Sequence, residues 1–341
     1  MSVLWTRALE SDNDVGVTIE VGLTMQKDKL QSAACQAVRE KITTFEQGGL
    51  PREVSEQYCK AYGLEIGDAQ MKFFTIDTTD CNTICYIFKP QNPKACVILV
   101  HGYLDHSMAW RNIVPCLLKD GYMVLLYDMK GHGLSDGARA DIGDFGEYRR
   151  QMEQVLEFAA RFGLRLHAIA HSTGAGVLAD LLLNDKKHAE MISSSALIAP
   201  LLHSAHWGVS RMAVGILPLT SVKRSFRKNS SDSSFMKFQK ADPLQYDKIP
   251  ISWMNANTAW AKRMLASVSV YDDDNVLFIQ GAKDAVVDWK FNMKFYGQRF
   301  PHAKKIMYEN GRHQLMNESQ QMIDELGDDL LKWIDIEREG I

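Results

Sequence analysis

The spacing of apolar residues along this chain changes near residue 71. Before it, Leu30, Ala34, Ala37, Val38, Ile42 and Phe45 recur at intervals of three and four, the period of one helix face. Gly48-Gly49 predicts the end of that helix, and Pro51 suits the first turn of a second. Val54, Tyr58 and Tyr62 give the second helix a buried stripe, and Gly63 gives it a stop. Residues 1 to about 25 carry no pattern that assigns them an element.

From Met71 onward, short apolar runs alternate with helical stripes. Met71–Thr78 and Ile84–Lys89 flank Thr79-Asp80-Cys81-Asn82 and predict a hairpin. Ala95–Val100, Tyr122–Tyr127, Arg165–Ala170, a strand ending over Ala196–Ala199, Asn275–Gln280 and Lys304–Tyr308 read as further strands. Helical faces lie between them, at Trp110 to Leu118, at Phe145 to Ala159, and finally at Met322, Leu326, Leu330 and Ile334. Eight strands alternating with helices predict an α/β fold, a mainly parallel sheet covered on both faces.

The stretch 200–270 breaks the rhythm, with much Ser, Met, Trp, Lys and Arg and a helical run over Ile251–Leu265. An excursion there leaves from the carboxyl end of a strand, where open parallel sheets place their sites. The expected organisation is therefore a helical extension over 1–70, a core over 71–199 and 271–341, and a helical cap over 200–270.

Chemistry enters with Ser172. It follows the strand Leu166-His167-Ala168-Ile169-Ala170-His171 and precedes Thr173-Gly174-Ala175-Gly176, small residues that open a helix. This places a hydroxyl on a tight strand-to-helix turn, the geometry of a nucleophile elbow. A serine hydroxyl needs a base, and the base needs an acid to hold its tautomer. Asp284, just past a strand in Gln280-Gly281-Ala282-Lys283-Asp284, and His313, just past the last strand in Asn310-Gly311-Arg312-His313, complete the set in the order Ser, Asp, His. An oxyanion also needs donors. The backbone N–H of Thr173, at the helix start, and that of Tyr103, in His101-Gly102-Tyr103-Leu104-Asp105-His106, are the candidates.

With these residues in place, the chain resembles an α/β-hydrolase of the monoglyceride lipase and bacterial lysophospholipase group. The likeness rests on His101-Gly102, on Asp128-Met129-Lys130-Gly131-His132-Gly133-Leu134-Ser135-Asp136-Gly137, on the elbow, and on the Asp284 and His313 contexts. It covers roughly residues 71 to 341 and departs from the pattern at Ala170, where the elbow usually has glycine, and in the long lead-in. The resemblance implies hydrolysis of a monoacyl lipid ester through an acyl-enzyme under a helical cap, with no metal or cofactor. A peptidase or thioesterase on the same fold is an alternative. So is a hydrolase-fold binding protein without catalysis, a reading opposed by the presence of both Ser172 and His313.

Composition narrows the classes. The 341 residues carry 39 basic and 42 acidic side chains, a net charge of −3, so no basic field draws the chain to nucleic acid. Cysteines at 35, 59, 81, 85, 96 and 116 make no Cys-x-x-Cys pair, which fits reduced thiols better than zinc. The N-terminus lacks the apolar core of a signal peptide, and the most apolar window, Ala196–Thr220, contains His203, His206 and Arg211. A cytoplasmic location is expected, with contact to a membrane surface one reading of the cap. Lys223, Arg224, Arg227, Lys228, Lys237 and Lys240 there interleave with Phe226, Phe235 and Phe238, which suits either an anionic lipid surface or a solvated face with core anchors.

Other side chains have plainer readings. His171 should point away from the site, and His101 should organise its loop. Asp288 should cap the next helix, and Asp272-Asp273-Asp274 should be a solvated loop. Residues 128–137 lack the Gly-Lys-Ser/Thr ending of a phosphate loop and read as a tight turn. Trp207, Met212, Leu217 and Trp253 can line an acyl pocket or simply belong to the core.

Overall fold

A computed structural model describes residues 30–205, 220–224 and 228–336. Strands β1 (Gln70–Thr78) and β2 (Cys81–Lys89) form the antiparallel hairpin, with Thr78 paired to Cys81. The connection is Thr79-Asp80, shorter than the four residues expected, because Cys81 and Asn82 join the ladder opposite Thr78 and Asp77. β3 (Ala95–Val100), β4 (Tyr122–Tyr127) and β5 (Leu166–His171) are buried at every position. Unbroken apolar runs of this kind need cover on both sides.

β6 (Ile192–Ile198) is followed by an inserted segment containing a small antiparallel pair, β7 (Ser221–Lys223) and β8 (Lys248–Pro250). β9 (Val276–Gly281) and β10 (Lys304–Tyr308) complete the main sheet. Its eight strands lie in the order β1-β2-β4-β3-β5-β6-β9-β10. Only the β1–β2 and β2–β4 pairings are antiparallel. This is the α/β-hydrolase sheet that the strand–helix alternation anticipates.

Side-chain alternation along the strands divides the core in two. Cys96, Ile98 and Val100 pack with the helices Phe145–Ala160, Thr173–Asn184 and Trp289–Arg299. Val97 and Leu99 pack with the helices at 30–41, Arg52–Tyr62, Val114–Lys119 and Gln320–Ile334. Gly63, at φ 67°, ends the Arg52–Tyr62 helix in a left-handed cap, as its sequence position predicts.

Two helices are shorter than their stripes predict. The first ends at residue 41, because Thr43 and Thr44 turn to pair with Thr75 of β1. Phe45 is thereby delivered edge-on to Phe74 and Phe158. The stripe beginning at Trp110 resolves into a 3-10 turn, Ser107–Trp110, and a separate helix, Val114–Lys119, whose first turn contains Pro115.

The inserted segment carries two helices, Ser233–Ala241 and Ile251–Ala266. Trp260 Nε1 donates to Asp180 Oδ2 at 2.9 Å, tying the second of these to the helix after the elbow. Among the described residues, no helix is long and apolar enough to cross a membrane. The basic-aromatic stretch divides by face. Lys223, Lys228, Lys237 and Lys240 are exposed, whereas Phe235 is buried and Phe238 is half-buried under the Arg111 guanidinium, 4.1 Å from its ring. Phe235 and Phe238 are three apart and share the inward face, so the outward face is cationic without them. Phe226 and Arg227 lie outside the described residues.

Candidate active site

β5 delivers Ser172 at its carboxyl end. The residue has φ 53° and ψ −114°, a left-handed backbone that reverses the chain into the Thr173–Asn184 helix. The reversal requires small neighbours. A Cβ on Gly174 would stand 2.5 Å from the His101 carbonyl oxygen, and one on Gly176 would stand 2.5 Å from that of Leu201. Ala170 sits fully buried in β5 between Val100 and Leu197, so its methyl group is accommodated where glycine is usual.

The loops after β9 and β10 bring the other two groups to the same rim. His313 Nε2 lies 3.0 Å from Ser172 Oγ, and His313 Nδ1 lies 2.7 Å from Asp284 Oδ2. Asp284 Oδ1 accepts from the N–H groups of Val286, at 2.8 Å, and Val287, at 3.2 Å, while Gln280 Nε2 donates to Oδ2 at 3.2 Å. Burial alone would raise the Asp284 carboxyl. The charge on His313, its hydrogen bond and the two backbone N–H groups outweigh that and hold the carboxyl below the ordinary carboxylate range. All three side chains are buried. Geometrically this set can hand the serine proton to an imidazole whose tautomer a carboxylate fixes.

The loop after β3 presses on the serine. A Cβ on Gly102 would stand 2.9 Å from Ser172 Cβ, so glycine is what allows the approach. Tyr103, the next residue, donates from its hydroxyl to Ala140 O at 2.7 Å and stacks on Trp253 with ring centroids 3.6 Å apart. Trp253 therefore meets the candidate oxyanion loop. Trp207, Met212 and Leu217 fall outside the described residues.

His101 organises this loop as expected. Its Nε2 accepts from Met129 N–H at 2.9 Å, which leaves the proton on Nδ1 to donate to Gly102 O at 2.8 Å. Asp128 is buried under the 128–137 turn, where it accepts from Ser107 N–H and Leu134 N–H, both at 2.8 Å, and from the Tyr86 hydroxyl at 2.7 Å. Asp288 accepts from Phe291 N–H and caps its helix. Asp272, Asp273 and Asp274 are exposed. The metal-compatible group among the described residues is Glu153, Asp185 and His188. There, both imidazole nitrogens are already engaged, at 2.6 Å by Asp185 and 3.2 Å by Glu157.

His171 differs from expectation. Instead of pointing away, its ring lies 4.7 Å from that of His313, and its Nε2 donates to His313 O at 3.0 Å. Strand alternation does not carry through the turn at Ser172, so adjacency to the serine said nothing reliable about direction. Burial, with the charge of His313 adding to it, pushes the His171 pKa down to about 3 and keeps the ring neutral. Gln280, Val286 and Val287 carry no sequence signal of their contacts with Asp284, because two of the three act through the backbone.

Comparison with known proteins bears on the family and the fold. The family model described as serine aminopeptidase, S33, matches residues 91–320. Human monoglyceride lipase is 23% identical over 73% of this chain and 86% of its own length. A probable lysophospholipase L2 from Haemophilus influenzae is 24% identical over 68% of this chain and 82% of its own length. The crystal structure of a soluble variant of monoglyceride lipase from Saccharomyces cerevisiae, in complex with a substrate analog, superposes with a TM-score of 0.68 at 18% identity. That match covers 80% of this chain and 98% of the other.

Proposed function

The chain belongs to the serine aminopeptidase S33 family of α/β-hydrolases, and from that premise we propose that it cleaves carboxylic esters of monoacyl lipids, lysophospholipids or monoacylglycerols, through an acyl-enzyme. Ser172 Oγ attacks the ester carbonyl as His313 Nε2 accepts its proton. Asp284 orients His313 and stabilises the imidazolium. The N–H groups of Tyr103 and Thr173 bind the oxyanion. His313 then protonates the leaving alcohol, and water cleaves the acyl-serine by the same steps.

One observation carries the reading: a continuous chain of contacts, 3.0 Å from serine to imidazole and 2.7 Å from imidazole to carboxylate, within a buried rim. The names of the relatives support the substrate class. In this reading the segment between β6 and β9 is a cap over the site, and Trp253 is one wall of the acyl pocket.

A fluorophosphonate should label the wild-type protein at Ser172, and the Ser172→Ala variant should take no label and turn over no ester. Turnover by that variant would exclude the nucleophile. The family description names an aminopeptidase, so an amide is the second reading. Comparing a monoacylglycerol, a lysophospholipid, a short p-nitrophenyl ester and an N-terminal proline amide decides between them, with the amide turned over fastest if the second reading holds.

A further inference from the structure

Three parts of the site region converge on one carboxylate that the reaction itself does not use. Asp105 is buried in the loop after β3, two residues beyond the Tyr103 N–H. Its Oδ2 accepts from Gln314 Nε2 at 2.7 Å, and Gln314 directly follows His313. Its Oδ1 accepts from Gln239 Nε2 at 3.1 Å, and Gln239 lies on the Ser233–Ala241 helix of the inserted segment. Both glutamines are buried too.

The orientation of each amide is set from its far side. Asn229 Nδ2 donates to Gln239 Oε1 at 3.2 Å, so Gln239 presents its NH2 to Asp105. Asn317 Nδ2 donates to Gln314 Oε1 at 3.2 Å, so Gln314 does the same. Asn317 is itself directed, since its Nδ2 also donates to Ala109 O and its Oδ1 accepts from Asn112 Nδ2, both at 3.1 Å. Two NH2 groups therefore face residue 105, and a side chain there must accept on both of its oxygens. A carboxylate does this. An asparagine would set its own NH2 against one of the donors and leave a buried polar group unsatisfied.

We propose that Asp105 is a positioning residue that locks the loop bearing the Tyr103 N–H and the loop bearing His313 into one register, with Gln239 as the point where the inserted segment is fastened to both. The proposal rests on the hydrolase reading above. Its physical basis is that small misplacements of reacting groups cost far more in rate than in binding. The Gln314 arm joins the two loops that handle the proton and the oxyanion, so its loss should appear in kcat. The Gln239 arm holds the segment over the site, so its loss should appear chiefly in KM.

The test compares kcat, KM and the fluorophosphonate labelling rate for wild type, Asp105→Asn, Gln239→Ala, Gln314→Glu and the double variant Asp105→Asn/Gln314→Glu. The double variant reverses donor and acceptor, because the new asparagine NH2 then faces a glutamate oxygen while its carbonyl still accepts from Gln239. Asp105→Asn and Gln314→Glu should each lower kcat and labelling on the order of 10- to 100-fold. Gln239→Ala should raise KM more than it lowers kcat. The double variant should return kcat to within about threefold of wild type, a recovery that a merely destabilised fold would not show.

Asp105→Asn or Gln314→Glu, folded and within about twofold of wild type in kcat, overturns the proposal. So does a folded double variant that stays more than about tenfold down, a criterion that holds even if Asp105→Asn does not fold. Absence of labelling in the wild type instead overturns the hydrolase reading, and the proposal with it.

Discussion

Gly281 lies so close to Gly311 that a Cβ on the former would stand 2.5 Å from the carbonyl oxygen of the latter. The Arg312 carbonyl would be closer still. The end of β9, which leads to Asp284, thus presses directly on the backbone that leads to His313, and Lys283 N–H donates to Gly311 O at 2.9 Å across the same junction. Gly281→Ala must push the two loops apart. We expect a loss of about 1–3 kcal/mol in stability from the overpacking. On the proposed function, ester turnover should fall by on the order of 10²-fold, because the imidazole shifts relative to its carboxylate. Denaturant melts and turnover on one preparation check both effects, and near-wild-type kcat would show that the junction does not set the imidazole.

Ser172 stores strain. Its φ of 53° is costly for any side chain but not for glycine. Ser172→Gly should therefore be inactive and yet more stable than Ser172→Ala, by about 1 kcal/mol, because the strain relieved, roughly 1–3 kcal/mol, exceeds the roughly 0.5–1 kcal/mol that glycine costs through the unfolded chain. Paired thermal melts of the two variants measure the difference, and equal melting temperatures would mean that the turn is unstrained.

The Asp284 carboxyl is held below its ordinary range in the folded protein. A depressed carboxyl contributes stability that is fully present above its unfolded value, roughly pH 4, and is lost as pH falls through the lower folded value. Asp284→Asn removes that contribution. The variant should show a shallower loss of stability with acid than wild type, together with a fall in kcat of about 10⁴-fold from the wrong imidazole tautomer. Urea midpoints between pH 3 and 5 and single-turnover acylation give the two readings. Parallel acid limbs would contradict the first, and unchanged acylation the second.

Two buried histidines act in a higher pH window. Burial holds both His171 and His132 down at about 3, and the neighbouring imidazoles of His313 and His101 further oppose a second positive charge. The unfolded chain takes up their protons near pH 6.5 while the folded chain does not, so stability falls as pH drops from about 6.5 toward 3. Each group contributes a slope of up to about 1.4 kcal/mol per pH unit in that interval. His132→Leu should flatten the slope by nearly one proton's worth. Stability curves of the variant and wild type that run parallel across pH 4–6 would show that His132 is protonated in the fold.

Much of this molecule is legible along the chain. The period-two and unbroken apolar runs locate all eight strands of the main sheet within a residue or two at most ends, because a covered strand has no alternative to burying its side chains. The early stops at residue 41 and at Trp110 were not visible. Ile42 and Phe45, and Ile113, Val114 and Leu117, keep the helical spacing beyond them, and only the pairing of Thr44 with Thr75 and the placement of Pro115 decide where the periodicity is abandoned.

The local chain by itself determined the elbow: a strand, a serine and small residues leave few backbones that avoid collision. It also set the order of the serine, carboxylate and imidazole groups. Which way His171 faces, why residue 281 is glycine, and that Asp105 must accept twice were decided only in three dimensions. Each is a close contact between segments distant in sequence, Gly281 with Gly311 and Asp105 with both Gln239 and Gln314. Steric exclusion and hydrogen-bond direction act through space, and no spacing along the chain encodes which backbone or amide will arrive opposite.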